Sequence, residues 1–297
     1  MTGAAGFIGL HLCKALIKMG YEVVAVDLGG EDRIGPLAKS RNFTWVKGDV
    51  TNFDKILEIL KKYKPEGLFH MAAALPPQSG QEDPFLFFNV NVLGTLNVLE
   101  ACRLAGVKKI VCSSSMSVYG RDLKYLPVDE KCPENSSTFY GLSKLQGEEI
   151  AAVYARKYGL KIICLRYGVL YGPGRNRGGA AAFMKNALSG ATLRIFENSS
   201  WDFVWSEDII KADIAAFEKI DKLKFQIINV GSGQETNLND LAKKIVKMTG
   251  SKSKIEFCRK RPAHRFFTDI KKAERLLSFR PTPLETGLSE YIKFFKK

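Results

Sequence analysis

The chain has 297 residues, about twice the ~150 typical of one domain, so its length predicts a two-part fold or two coupled domains. Hydrophobic residues make up 45% and charged residues 26%, which argues against disorder, and without a run of ~18 apolar residues we expect no membrane span. The net charge of +14, concentrated between Ser251 and Lys297, predicts a surface that attracts anions, but it does not say which.

Short β-branched runs alternate with longer segments of helical periodicity. Predicted strands are Glu22 to Asp27, Phe43 to Lys47, Gly67 to Met71, Lys109 to Ser113, Leu160 to Arg166 and Phe225 to Val230. Predicted helices are Phe7 to Lys18, Asp54 to Lys62, Asp83 to Leu104, Phe139 to Tyr158, Ser206 to Ile220, Leu238 to Thr249 and Leu284 to Phe295. This alternation is typical of an α/β fold, a Rossmann-type doubly wound parallel sheet covered by helices on both faces.

Two regions follow from the pattern. We expect residues 1–167 to form a dinucleotide-binding domain whose sheet is completed by about residues 201–230. Residues 168–297 are expected to form a smaller, mixed substrate-binding part interleaved with the end of that sheet.

Three glycines, Gly3, Gly6 and Gly9, open the first helix, whose first residues are Phe7 and Ile8. Glycines at a strand-to-helix turn let the backbone approach a pyrophosphate, whose charge the helix N-terminus favours. Asp27 ends the next strand 18 residues after Gly9, where a carboxylate can bind both hydroxyls of an adenosine ribose and repel a 2′-phosphate. The pattern therefore predicts NAD rather than NADP.

One feature disagrees with this motif. The glycine turn should follow a strand, yet only Met1 precedes Thr2, so the central strand of the sheet has no residues to form it. Because its loss would expose two rows of backbone polar groups, we expect the sequence to begin a few codons inside the gene, or to have been trimmed.

Tyr140 and Lys144 lie four residues apart on one face of a predicted helix. The lysine charge favours the phenolate and would bring the tyrosine pKa from about 10 toward a value useful for a general base. The run Ser113 to Ser115 ends the preceding strand, where a hydroxyl could hold a substrate oxygen.

With these motifs the chain resembles the extended short-chain dehydrogenase/reductases, specifically the NAD-dependent epimerase/dehydratase family that includes the UDP-glucose 4-epimerases. The resemblance runs nearly end to end, through Thr2 to Gly9, Asp27, Gly48 to Val50, Phe69 to Ala73, Asn91 to Thr95, Ser113 to Gly120, Tyr140 to Lys144, Leu165 to Gly174 and Asp202 to Val204. It implies that Ser115, Tyr140 and Lys144 are the catalytic residues, with Ser115 and Tyr140 also binding substrate and Lys144 also gripping the nicotinamide ribose.

The resemblance also assigns cofactor contacts and a partner. Asp49 and Val50 would lie against the adenine, Ala72 and Ala73 would flank the cofactor, and Asn91 would be a structural asparagine. The family's long helix, which follows Phe85 to Phe88, often forms a dimer interface, so a homodimer is expected.

Three local departures bear on the reaction. Met116 and Ser117 follow Ser115 where dehydratases of the family carry an acidic residue, which disfavours water elimination. Val169 stands where an asparagine usually contacts the nucleotide-sugar, and Trp201 where an arginine usually reaches the diphosphate. Arg261 resembles another diphosphate-binding arginine of the family, and Trp201 could stack on a base or belong to the core.

Three functions remain open. The leading hypothesis is an NAD-dependent nucleotide-sugar epimerase, acting at C4 through a transient ketone. The altered Val169 and Trp201 positions favour a net oxidoreductase on a keto-sugar or other hydroxy compound. The basic C-terminal region suggests a nucleotide sensor or RNA-binding protein, against which the intact Ser115, Tyr140 and Lys144 argue.

Six scattered cysteines without a Cys-x-x-Cys pair predict neither disulfides nor a zinc site, and three dispersed histidines predict no other metal site. A reducing cytoplasm fits this usage, and no export signal is expected.

Overall fold

The computed structural model describes residues 1–76, 81–195, 199–258 and 263–296. The chain forms two compact units. Unit 1 comprises Met1–Asp122, Glu134–Arg166 and Ile210–Ile228, and unit 2 comprises Leu123–Pro133, Tyr167–Ile209 and Asn229–Lys297. Each unit therefore contains segments from several parts of the sequence, and the assignment of cofactor and substrate binding to separate regions stays a prediction.

The helices and strands follow in chain order. The helices are α1 Phe7–Lys18, α2 Glu31–Ile34, α3 Phe53–Tyr63, α4 Pro84–Phe87, α5 Gly94–Ala105, α6 Phe139–Tyr158, α7 Gly179–Ser189, α8 Ser206–Glu218, α9 Ile220–Leu223, α10 Leu238–Thr249, α11 Lys271–Leu277 and α12 Leu284–Phe295. The strands are β1 Val23–Asp27, β2 Phe43–Lys47, β3 Gly67–His70, β4 Lys109–Ser115, β5 Lys161–Tyr167, β6 Val169–Tyr171, β7 Leu193–Ile195, β8 Ser200–Trp201, β9 Phe203–Trp205, β10 Phe225–Val230, β11 Thr236–Asn237 and β12 Ile255–Phe257.

The main sheet confirms the predicted parallel α/β fold. Strand β1 pairs in parallel with β2, and β3 pairs in parallel with β4, which continues to β5 and β10. Strand β10 lies at the edge of the four-stranded part beside β5, whereas β8 and β9 belong to separate two-stranded pairs. The carboxyl ends of β1, β3 and β4 carry the segments with the predicted site residues, which is the edge where ligands bind in such sheets.

Met1 and Thr2 lie between β1 and β3, where the sequence analysis expects the central strand, and they form no strand of their own. Thr2 forms parallel bridges with Val26 on one side and His70 on the other. The Val26 amide donates to the Met1 carbonyl at 2.7 Å, and the Thr2 amide donates to the Phe69 carbonyl at 3.0 Å. These two residues thus bridge β1 and β3 through backbone hydrogen bonds on both sides.

Helices cover both faces of the sheet. Leu68 packs into a buried cluster with Ile56 of α3 and Val98 of α5. Phe69, the next residue, faces the opposite side and meets Phe217 of α8 with ring centroids 5.1 Å apart. The strands are therefore buried on both sides, which explains their nearly continuous apolar sequence.

The predicted helix Asp83 to Leu104 is interrupted. Between α4 and α5 the segment Phe88–Leu93 is a π-helical turn, which contains Asn91. Such turns insert an extra residue into a helix and often occur at functional sites, and apolar periodicity cannot reveal them. The stretch Pro84–Ala105 is also, by length and composition, able to span a membrane, although half of its most apolar window is buried inside the fold.

Unit 2 contains short strand pairs around its own core. Strands β6 and β9 pair in parallel, as do β7 and β12, while β8 and β11 are antiparallel. Helices α7, α10 and α12 pack on these strands through a buried cluster that includes Met184, Leu241 and Tyr291. The helices predicted for α10 and α12 are confirmed, whereas α7 was missed because its sequence follows the glycine-rich loop as a mostly small-residue run.

Candidate active site

The glycine turn that precedes α1 fits closely against the loop after β3. Gly3 has a φ of +70°, and a Cβ there would lie 2.4 Å from the Ala72 amide nitrogen. A Cβ on Gly9 would lie 2.1 Å from the Gly3 carbonyl oxygen. Neither position can hold a larger residue without moving backbone. Gly6 caps α1, so the first-turn amides, including those of Phe7 and Ile8, point toward the turn and favour an anion there.

Asp27 closes this turn from the end of β1. Its Oδ2 accepts from the Ala5 amide at 2.9 Å, and its Oδ1 accepts from the Leu28 amide at 2.8 Å. An ionised carboxylate has about four acceptor positions, so both oxygens can still accept from ribose hydroxyls. The residue predicted to select NAD thus also fixes the glycine turn.

Asp49 and Val50 follow β2 at the same edge of the sheet. The Thr51 amide donates to Asp49 Oδ1 at 2.8 Å, and Val50 is buried. The Asn97 side-chain amide of α5 donates to the carbonyls of Val50 and Thr51, both at 3.0 Å. This segment is therefore held to the helix behind it, with its position relative to an adenine left as a prediction.

Asn91 ties the loop after β3 to helix α6. Its Oδ1 accepts from the Ala74 amide at 2.8 Å, and its Nδ2 donates to the Ala74 carbonyl at 3.1 Å and to Ser143 Oγ at 2.9 Å. Ser143 in turn donates to the Tyr140 carbonyl at 2.7 Å. The π-helical turn places this buried side chain between the segment of Ala72 and Ala73 and the helix that carries Tyr140.

A second buried chain of hydrogen bonds runs from the glycine turn to Asn91. Thr2 Oγ1 lies 2.8 Å from His70 Nδ1, and His70 Nε2 lies 3.0 Å from Thr95 Oγ1. Thr95 donates its one hydroxyl hydrogen to the Asn91 carbonyl at 2.6 Å, so it must accept from His70 Nε2–H. His70 is therefore the Nε2–H tautomer. Burial, together with the Lys144 charge, lowers the pKa of His70 to about 3, which keeps it neutral.

Ser115 lies at the carboxyl end of β4. Its Oγ accepts from Ser117 Oγ at 2.8 Å and from the Ser117 amide at 3.2 Å. Since Ser117 donates to it, Ser115 keeps its own hydroxyl hydrogen to donate elsewhere. The next two residues, Met116 and Ser117, carry no carboxylic acid.

Tyr140 lies in the first turn of α6, which two side chains cap. Thr138 Oγ1 accepts from the Gly141 amide at 3.0 Å. Glu82 accepts from the Phe139 and Tyr140 amides at 3.0 and 3.2 Å. The Tyr140 ring meets Phe87 edge to face, with centroids 5.9 Å apart. The backbone position and the ring direction of Tyr140 are thus both fixed.

Lys144 follows Tyr140 by one helical turn and is buried, only 7% exposed. Burial lowers its pKa, and the nearby Cys112, Cys164 and Glu148 act in the opposite direction. A hydrogen bond with Cys112, together with burial, raises the pKa of the Cys164 thiol, so that neighbour is neutral. The ammonium of Lys144 is consequently poorly solvated.

A buried ion pair holds α6 against the sheet behind these residues. Arg166 of β5 donates to Glu148 through Nε at 2.9 Å and through a terminal nitrogen at 2.6 Å. The same nitrogen reaches Glu134 at 2.8 Å, and Ser114 donates to Glu148 at 2.5 Å. Because Ser114 adjoins Ser115, and Glu148 follows Lys144 by one turn, this network fixes the strand end relative to the helix.

The predicted substrate residues of unit 2 are only partly described. Arg261 lies outside the described residues. The Trp201 ring lies 5.0 Å from the His264 ring and 6.4 Å from the Phe266 ring, measured between centroids. It packs against the core of its unit, which agrees with the second of the two roles that the sequence left open for it. Trp201, which stands where the family usually has an arginine, therefore lies against the His264 ring. Val169 is half-buried on the same core.

Ser143, Ser117 and Glu82 were missed by the sequence analysis. Each contacts a predicted catalytic residue, but Glu82 is 58 positions from Tyr140, and no local spacing links them. Ser117 was noted only as a non-acidic residue. Among the described residues, no group of three His, Cys, Asp or Glu side chains could hold a metal ion.

Comparison with known proteins identifies the family of this chain. The model of the NAD dependent epimerase/dehydratase family matches residues 1–231. A putative UDP-glucose 4-epimerase from Methanocaldococcus jannaschii is 35% identical over 309 residues, covering 100% of this chain and 97% of that protein.

Two solved structures share the fold over 99% of this chain, each with a TM-score of 0.90 and 30% identity. One is UDP-glucose 4-epimerase from Thermotoga maritima with UDP-glucose, of which 97% is covered. The other is UDP-glucuronic acid 4-epimerase from Bacillus cereus with UDP-glucuronic acid and NAD, of which 98% is covered. On the family match, the full-length relatives and the shared fold, the chain belongs to the NAD-dependent epimerase/dehydratase family.

Proposed function

We propose that this protein is an NAD-dependent epimerase that inverts C4 of a UDP-sugar. The observation that carries the proposal is the buried hydrogen-bond chain that joins the glycine turn, through His70 and Asn91, to the helix of Tyr140 and Lys144. A rigid link between a dinucleotide turn and an acid–base pair suits an enzyme in which the cofactor and the base act on one carbon. The relatives named above are epimerases of this kind.

The residues present fit NAD. At Gly3 and Gly9 the backbone packs too closely to admit a Cβ, which keeps the turn tight, and the amino end of α1 favours a pyrophosphate. Asp27 keeps acceptor positions for two ribose hydroxyls. When bound, NAD supplies the hydride acceptor and donor. The contacts of Phe7, Ile8, Asp49, Val50, Ala72 and Ala73 with it are part of this proposal.

Three side chains perform the acid–base work. Tyr140 starts as a phenolate that the Lys144 charge stabilises, takes the proton from the sugar hydroxyl to become the neutral phenol, and later returns that proton. Ser115, whose hydrogen remains available because Ser117 donates to it, holds the sugar oxygen. Lys144 also binds the nicotinamide ribose. The absence of a carboxylate at Met116 and Ser117 leaves nothing there to expel water from a neighbouring carbon.

The direct test substitutes Tyr140 by Phe. We expect Y140F to lower kcat for interconversion of UDP-glucose and UDP-galactose at least about 100-fold, because general acid–base catalysis contributes on the order of 100 to 10,000-fold. NAD affinity, measured by titration calorimetry, should stay within about threefold. Tyr158→Phe, at the exposed end of the same helix, is the matched control and should keep wild-type activity.

The same assay separates the alternatives. Interconversion without accumulation of NADH identifies an epimerase, whereas one NADH formed per sugar consumed identifies a net oxidoreductase. Retained turnover in Y140F would remove Tyr140 from the mechanism. UDP-glucuronate should be assayed in parallel, because both sugars occur among the relatives.

The proposal includes a homodimer. Apolar side chains remain exposed on the stretch Pro84–Ala105, where Phe85 is 88% exposed, and on the adjoining α6. The others on these two segments include Leu86, Leu93, Leu96, Leu142 and Val153. An exposed apolar patch on two packed helices is typical of a subunit interface. A second copy would cover it by placing the same two helices against their equivalents.

A further inference from the structure

The first turn of α6 carries Tyr140 but no acidic side chain of its own. Backbone N–H groups at the start of a helix lack partners within the helix, and a negative charge there is stabilising. The third helical position is closed to an acid, because a Cβ on Gly141 would lie 2.4 Å from the Ser117 carbonyl oxygen and 2.2 Å from Ser136 Oγ. The turn of Tyr140 therefore lies directly against the segment that donates to Ser115.

A carboxylate from a distant segment serves this turn instead. Glu82 Oε2 accepts from the Phe139 amide at 3.0 Å, and its Oε1 accepts from the Tyr140 amide at 3.2 Å. Glu82 is half-buried and lies 58 positions before Tyr140 in the sequence. Because both oxygens of one ionised side chain are used, the contact restricts both the position and the rotation of the turn.

The residue after Glu82 fixes the ring of Tyr140 through α4. Asp83 caps this short helix, since its Oδ1 accepts from the Leu86 amide at 3.1 Å and its carbonyl accepts from the Phe87 amide at 3.2 Å. Phe87 is buried, and its ring meets the Tyr140 ring at an angle of 67°. Two successive residues of one segment thus hold the backbone and the ring of Tyr140.

We propose that Glu82 is a positioning residue for Tyr140, which holds the first turn of α6 against the segment of Ser115 and Ser117. The proposal rests on the proposed function in that it takes Tyr140 as the base. A displacement of about 1 Å can cost on the order of 100-fold in rate. Loss of Glu82 should therefore slow the proton transfer while sugar and NAD still bind, because its two bonds go to the backbone of α6.

The kinetic test compares Glu82→Ala with Asn52→Ala in the full chain. Asn52 caps a different helix, α3, by accepting from the Lys55 amide at 3.0 Å, so N52A is a matched loss of a cap. Both variants should lower Tm by a few degrees. E82A should also lower kcat for the UDP-sugar at least about tenfold, with KM within about threefold, whereas N52A should keep the wild-type kcat. E82Q, which keeps one acceptor, should lie between E82A and the wild type.

A double-mutant cycle with Y140F separates positioning from general destabilisation. Because Glu82 acts through the phenol, E82A should change the residual turnover of Y140F by less than about twofold. An equal loss of kcat in the Y140F and wild-type backgrounds overturns the proposal, and so does a wild-type kcat in both E82A and E82Q.

Solution NMR tests the same point without turnover. In protein with carbon-13 tyrosine, the Tyr140 ring signals, assigned by their loss in Y140F, should shift in E82A because the ring moves relative to Phe87. They should stay unchanged in N52A, and unchanged signals in E82A overturn the proposal. If the wild type interconverts no UDP-sugar while E82A still shifts these signals, the epimerase assignment fails and the positioning of Tyr140 by Glu82 stands.

Discussion

Lys144 combines burial with a charge that the reaction needs. A protein that only required a well-packed helix would place an apolar side chain at this position, since desolvation of an ammonium costs free energy. The lowered pKa of Lys144 means that the folded state binds its proton less tightly than the unfolded state does. The protein therefore loses stability to this lysine at neutral pH, and regains it as the pH rises toward the ordinary lysine value of ~10.4.

Substitution of Lys144 by Met should raise the stability of the folded protein at neutral pH and lower its catalytic activity. We expect K144M without cofactor to have a Tm at pH 7.5 a few degrees above that of the wild type, with the gap narrowing toward pH 10 as the wild-type lysine loses its proton. Turnover should fall at least about 100-fold, because the phenolate of Tyr140 loses its partner. Differential scanning fluorimetry across pH measures the first effect, and the sugar assay the second.

Lys157→Met, at an exposed position on the same helix, provides the comparison and should change neither quantity. A K144M variant whose Tm is lower than that of the wild type at every pH would contradict the energetic argument.

His70 is expected to stay neutral throughout the physiological range. Its folded pKa of about 3 lies below the ordinary ~6.5, so it contributes stability above pH ~6.5 that is lost as the pH falls toward 3. Long-range nitrogen-15 NMR should show the Nε2–H tautomer, unchanged between pH 8 and 5, with His70→Asn used to assign the signal. A midpoint between pH 5.5 and 7.5 would show that the buried chain from Thr2 to Asn91 is wrong.

At the scale of elements, the π-helical turn at Phe88–Leu93 decides where Asn91 points. A regular helix would repeat every 3.6 residues and turn this side chain away from the position it now occupies. Instead its amide satisfies both backbone groups of Ala74 and one hydroxyl of α6. The turn thus connects the loop after β3, the π segment and the catalytic helix through one side chain.

Asn91→Ala should destabilise this connection. Leaving the Ala74 amide and carbonyl without their partner costs about 1–3 kcal/mol for each group that stays buried. We expect a lower Tm and a KM for the sugar raised more than tenfold at a temperature where the variant is folded. Asn91→Asp keeps the acceptor for the Ala74 amide and should lie between the wild type and N91A in Tm. Equal values for the two variants would mean that the bond accepted from the Ala74 amide contributes nothing.

The sequence predicted the helices and strands of unit 1 well, because alternating apolar strands and amphipathic helices carry local periodicity. The glycine turn, Asp27 and the spacing of Tyr140 and Lys144 were equally visible, since each is a short pattern. The π-helical turn was not visible in the sequence, because one extra residue in a helical turn changes neither the composition nor the apolar character of the segment. Glu82 and Ser143 act through contacts between distant segments, and the short strands of unit 2 are held by tertiary pairing rather than by their own propensity.

At the scale of the whole molecule, the exposed helical patch predicts association. Leu96→Glu should convert a dimer to a monomer, observed by light scattering after size-exclusion chromatography, because a charge at the centre of an apolar interface must be desolvated. Phe257→Glu, on an exposed strand of unit 2, serves as the control and should leave the dimer intact. A wild-type monomer at micromolar concentration would refute the dimer outright.

The cysteines of this chain allow a fluorescent label to be attached at one position. Cys13, Cys102, Cys112, Cys132 and Cys164 are buried, and burial raises the pKa of Cys13 to about 11, so maleimide chemistry should pass them by. Cys258 alone among the six is partly accessible. The native chain thus carries a single attachment point for a fluorophore, and ligand-induced changes can be followed optically without first engineering the thiols away.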